Sequence, residues 1–97
     1  MKRFRSRRLL DAAEGRACVL CGKQDDTVVP AHLPGSKYGM PAGWSQKTHD
    51  WLVAHLCFHC HYEIDGIGRQ DFQLRMKALC LTLERLFDEG MLRVRDR

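Results

Sequence analysis

From Phe72 to Phe87 the apolar residues Phe72, Met76, Leu79, Cys80, Leu83, Leu86 and Phe87 recur largely at steps of three and four. That spacing predicts an amphipathic α-helix, and Gly90 supplies its stop. Its apolar stripe is read as core, with Cys80 as one small packed member. A shorter helix is predicted over residues 6–15, where Ser6 can cap the start and Gly15 the end. Thr27, Val28 and Val29 form a β-branched run read as a short strand, broken by Pro30. Residues 51–56, WLVAHL, are read as a second strand, and helical pattern resumes at Phe58 and pauses at residues 66–68. Between the strands, residues 33–49 hold Gly35, Gly39, Gly43, Pro34 and Pro41, the signature of a long loop. The pattern shows no internal repeat.

Length changes the picture first. A chain of 97 residues is one small domain, and at that size a hydrophobic core contributes only roughly 3–5 kcal/mol of net stability. A staple is therefore expected. No apolar run approaches the ~20 residues that span a bilayer, so no membrane contact is expected. The basic start leads into Leu9-Leu10-Asp11 rather than a signal-peptide apolar run, which predicts a cytoplasmic location. There thiols stay reduced, and closely spaced cysteines point to metal rather than disulfides.

The formal charge of +4 is unevenly placed. Lys2, Arg3, Arg5, Arg7 and Arg8 make residues 1–8 a basic arm with no acid, and Arg93, Arg95 and Arg97 make residues 93–97 a basic tail. Residues 9–92, the single folded domain, carry more acids than bases. A polyanionic partner would be attracted chiefly by the two ends.

Cys18-x2-Cys21 and Cys57-x2-Cys60 are two identical knuckles. Two such turns that meet in space offer four thiolates to a tetrahedral zinc, the expected structural cofactor. Cys57-Phe-His-Cys60-His61 also matches the haem-attachment pattern, but that reading leaves the first knuckle unexplained. Immediately beyond the second knuckle, His61 and Asp65 are four residues apart. On a helix they share a face and can together hold a divalent ion or simply form a polar surface pair. His32 lies just past the first strand, before the glycine-rich loop, where its imidazole can project into a cleft.

The order Cys-x2-Cys, strand, Ala31-His32-Leu33, glycine-rich loop and Leu56-Cys-x2-Cys-His-x-Glu-Ile-Asp65 resembles the small phage and prophage HNH-like endonucleases, over residues 16–66. The resemblance implies an α+β fold, a zinc-stapled ββα-metal domain flanked here by an N-terminal helix and a C-terminal amphipathic helix. It implies that His32 is the general base and that His61 binds the catalytic ion, with Asp65 as the helical ligand one turn on. That ion would be Mg²⁺ or Mn²⁺. The chain contains no asparagine; Asp50 takes the place of the family's Asn, either orienting His32 or binding metal. Ala31 stands where many members carry a further metal-binding side chain.

The expected function is hydrolysis of DNA phosphodiester bonds, with no small-molecule substrate. Histidine, with its ordinary pKa near about 6.5, suits the removal of a proton from water at neutral pH. The alternative is a non-catalytic, zinc-stapled nucleic-acid-binding module in which His61 and Asp65 are merely polar residues at the surface. A third reading, a protein–protein adaptor, predicts no salt-sensitive DNA binding. His49, His55 and His59 are read as packed or solvated side chains.

Overall fold

The computed structural model describes residues 3–33, 48–65 and 72–95. The glycine-rich segment, apart from Leu33, Thr48 and His49, lies outside them, as do the pause at residues 66–68 and the last two residues of the chain. Among the described residues the fold is α+β, with three helices around one two-stranded antiparallel sheet.

Helix α1 runs Arg7–Asp11. Ser6 starts it in an extended conformation, its hydroxyl accepting from the Leu9 amide at 3.3 Å, so the capping residue read from sequence is the one used. The helix is shorter than the predicted 6–15, since residues 12–15 continue only as turns. The first knuckle follows. Its amides close on themselves: Cys18 donates to the Lys23 carbonyl at 2.8 Å, and Gly22 donates to the Cys18 carbonyl at 2.9 Å. Gly22 has φ +80, a left-handed conformation that a side chain would strain.

Strand β1 is Val29–His32 and strand β2 is Val53–Leu56, paired Val29 to Leu56 and His32 to Val53. The expected break at Pro30 does not occur, because the strand runs through it. Pro30 faces His55, whose amide donates to Thr82 Oγ1 and whose carbonyl accepts from Val19, both away from β1. The pair is therefore a position where the ladder asks for no donor, and the missing proline N–H costs the sheet nothing. His32 accordingly ends the strand rather than lying beyond it.

All four residues of β2 are buried. Helix α2, Phe58–Asp65, follows directly after Cys57. Its first amide, from Phe58, donates to Thr27 Oγ1 at 3.0 Å, so a side chain before β1 caps a helix after β2. Three of the knuckle cysteines, Cys18, Cys57 and Cys60, share one core with Val28, Ala31, Ala54, Leu56, Ile64 and Ala78.

Helix α3 spans Phe72–Asp88 and is closed by Gly90 at φ +75, with Met91 donating to the Leu86 carbonyl at 2.9 Å. The buried face overlaps the predicted stripe only in part: Leu86 is buried, and Leu79 and Leu83 are half-buried. Arg75, Ala78, Thr82 and Leu86 are buried, whereas Phe72, Met76, Phe87 and Cys80 are exposed. The centre of the buried face lies one residue's turn, ~100°, away from that of the stripe. Small Ala78 and Thr82 let the helix approach β2, and Arg75 packs inside by donating to the Ile64 carbonyl at 3.2 Å. Cys80 is thus a surface thiol, not a core residue.

Candidate functional site

The four knuckle cysteines converge. Their sulfurs all lie within 4.8 Å of one another, and Cys21 Sγ is 3.6 Å from Cys57 Sγ. Tetrahedral zinc with bonds of about 2.3 Å places its sulfurs about 3.8 Å apart, so the spacing fits. The cluster can hold a structural metal such as zinc. Its acid–base balance points the same way. Burial raises the Cys18 thiol, but backbone hydrogen bonds from Cys21, Cys57 and Leu20 outweigh it and bring the pKa down to about 7. Cys60 is pushed well up by burial and by its contacts with the other three thiols. Four thiols this close cannot all ionise alone, and a divalent cation removes that conflict.

At the far end of β1 a second group forms. His32 Nε2 lies 2.9 Å from Asp50 Oδ1, although 18 positions separate them in the chain. The end of β1 supplies the histidine, and the turn before β2 supplies the acid. Both side chains are almost wholly buried. Asp50 also accepts from the Ser6 amide at 2.8 Å and from Arg5 Nη1 at 3.0 Å. Burial raises its pKa, but the hydrogen bonds from His32, Ser6 and Arg5 and the arginine charge together hold it below the ordinary carboxylate value. An ionised carboxylate only accepts hydrogen bonds, so His32 Nε2 is the donor of this pair. Nδ1 is buried and has no hydrogen-bond partner among the described residues.

The described end of the basic arm is docked here. Asp50 N donates to the Phe4 carbonyl, and the Phe4 amide donates to His49 Nδ1, both at 2.9 Å. His49 is buried and stacks on Trp51 with ring centroids 5.2 Å apart. His49 thus belongs to the dock, a role sequence reading missed because its partner is a backbone amide 45 positions away. Arg5 was missed in the same way, since an arginine in a basic run carries no sign of which carboxylate it meets.

His61 follows Cys60 on α2 and is half-buried, its amide donating to the Cys57 carbonyl at 2.9 Å. The Asp65 side chain lies outside the described residues. Among the described residues, only the four cysteines gather three or more potential metal ligands. Of the remaining histidines, His55 is buried and His59 is exposed beside Glu63. No helix among the described residues is long and apolar enough to cross a membrane.

Compared with protein families, with curated proteins and with solved structures, the chain matches none.

Proposed function

We propose that this protein is a metal-dependent DNA endonuclease of the HNH type, with a structural zinc on Cys18, Cys21, Cys57 and Cys60 and with His32 as general base. The observation that carries the reading is the His32–Asp50 pair at 2.9 Å. A buried carboxylate orients the imidazole through Nε2, the carboxylate–imidazole pairing that general-base histidines use. The order of two antiparallel strands and then a helix that starts at a knuckle supports the same reading.

In this mechanism the His32 imidazole takes a proton as water attacks phosphorus, and Nδ1, buried in this structure, has to open to that water. The new P–O bond forms as the bond to the 3′-oxygen breaks. Asp50 acts on His32 rather than on metal, since three donors already occupy its oxygens. The reading assigns the divalent ion to His61 and Asp65, and that ion would supply charge neutralisation at the scissile phosphate. The exposed Arg7 and Arg8 offer phosphate contacts from the arm.

A second reading, a non-catalytic zinc-stapled nucleic-acid-binding module, draws support from one observation. Among the described residues the cysteine cluster is the only gathering of three or more metal-ligating side chains. Nicking of supercoiled plasmid with Mg²⁺, Mn²⁺ or Ni²⁺, run beside His32→Ala, decides between the two. The endonuclease reading expects His32→Ala to keep its zinc and DNA affinity while cleavage falls by ~10²–10⁴. Equal cleavage by both proteins, or none by either, transfers the conclusion to the binding module.

A further inference from the structure

Residues 4–6 lie against residues 48–50 through hydrogen bonds from both backbone and side chain. Phe4 uses its amide on His49 Nδ1 and its carbonyl on the Asp50 amide. Arg5 Nη1 donates to the Thr48 carbonyl and to Asp50 Oδ1, and Ser6 gives its amide to Asp50 Oδ2. The segment is therefore a strap, and it closes on the carboxylate that holds His32.

The division of labour on that carboxylate is specific. Arg5 and His32 share Oδ1, at 3.0 and 2.9 Å, while Ser6 takes Oδ2. An aspartate has two rotatable bonds, so His32 alone would leave its plane free to turn. Three donors from two sides remove that freedom. The Arg5 guanidinium is itself fixed at a second point by the Thr48 carbonyl, and its side chain remains about half exposed. With both acceptors meeting the one nitrogen Nη1, the contact sets direction as well as charge.

We propose that Arg5 is a positioning residue for His32: acting through Asp50, it holds the imidazole with Nε2 donating to the carboxylate. Residues 4–6 then form a wall of the site, and the basic arm has two jobs, one at Asp50 and one at phosphate. The proposal rests on the reading of His32 as base for its effect on rate, but not for its effect on the imidazole.

The test uses the full zinc-loaded chain and the variants Arg5→Ala and Arg5→Lys. Zinc content and thermal melting report the fold, and DNA affinity is separated from the single-turnover nicking rate at saturating protein. The ring ¹⁵N shifts of His32 report which nitrogen carries the proton. Arg5→Ala should keep zinc and bind DNA within about threefold, yet cleave at least ~10-fold more slowly, the loss expected when a reacting group is misaligned rather than removed. In the same variant the two His32 nitrogen shifts should move toward each other. Arg5→Lys, which can still donate to both acceptors, should recover most of the rate and the wild-type shifts. Arg5→Met keeps the aliphatic stem without the guanidinium and carries the same expectation as alanine, should alanine prevent folding.

A full single-turnover rate with unchanged His32 shifts overturns the proposal. So does a variant whose only defect is weaker DNA binding, since Arg5 would then be a phosphate contact. If the wild-type protein cleaves nothing, the base reading fails on its own. The nitrogen shifts still judge the positioning claim.

Discussion

His55 is a histidine that the fold holds uncharged. It is wholly buried on β2, and Arg85 Nη1 lies 3.2 Å from its Nδ1. Burial lowers its pKa first, the Arg85 and Arg16 charges add to that, and Glu89 opposes, bringing it to about 4. The unfolded chain takes up this proton near about 6.5, so between that pH and 4 it binds more protons than the folded protein. Stability is therefore lost as pH falls through that window, by up to roughly 3 kcal/mol for this group. Denaturant melts of the zinc-saturated protein and of His55→Gln at matched pH read the effect as a difference. The stability gap should stay constant above about 6.5 and shift in favour of the variant below it. A gap that is the same at pH 7 and pH 4.5 would show that His55 is not held neutral. The sequence placed His55 on a strand but held no sign of Arg85, which comes from the other end of the chain.

The meeting of α3 with β2 depends on one hydroxyl. Thr82 Oγ1 accepts from the His55 amide at 3.1 Å and donates to the Ala78 carbonyl at 2.8 Å, with no exposure to solvent. It satisfies the outward amide of β2, as water would satisfy a free sheet edge. Thr82→Val keeps the shape and removes the acceptor, leaving a buried N–H unmet. A loss of about 1–3 kcal/mol is expected in denaturant unfolding, and Thr82→Ser should recover most of it. A valine variant as stable as the wild type would mean that the His55 amide finds another acceptor. Periodicity predicted that α3 exists and that Gly90 ends it, because both depend on local chain chemistry. It kept Leu86 but centred the face on Phe72, Met76 and Phe87, since apolar spacing counts hydrophobicity and takes no account of how closely two backbones approach. Ala78 and Thr82 are small enough for that approach, whereas the larger Phe72 and Met76 stay exposed. Pro30 misled for a related reason: whether proline breaks a strand depends on which side of the ladder it faces.

At the scale of the molecule the cysteine cluster is part of the core and can hold the metal that would staple it. Cys18, Cys57 and Cys60 are buried with the apolar residues, while Cys21 is exposed. Cys21→Ser therefore removes a ligand without opening a cavity, and its effect isolates the metal's contribution. Elemental analysis should find one zinc per chain in the wild type. The variant, or the wild type with a strong chelator, should lose the metal and its cooperative melt. Zinc binding in small domains is worth on the order of 10 kcal/mol, more than a core of this size supplies. Cys80→Ser, on the exposed surface of α3, should change neither zinc nor melting. Retained native-like far-ultraviolet spectra in zinc-free Cys21→Ser would take the staple out of the account.

Duplicated Cys-x2-Cys spacing was enough by itself to single out the four cysteines whose sulfurs converge within metal-binding distance. Tetrahedral coordination has few solutions, and each knuckle is a local turn whose geometry follows from its own residues. Local chemistry likewise determined the Ser6 cap, the helix that follows Cys57 and the Gly90 stop. The His32–Asp50 pair, the strap from Phe4 to Ser6 and the roles of His49 and Arg5 belong to the tertiary structure alone. Each joins segments 18 to 45 positions apart, and a hydrogen bond across that distance depends on strand register and the path of the turn before β2. No periodicity in the chain encodes either.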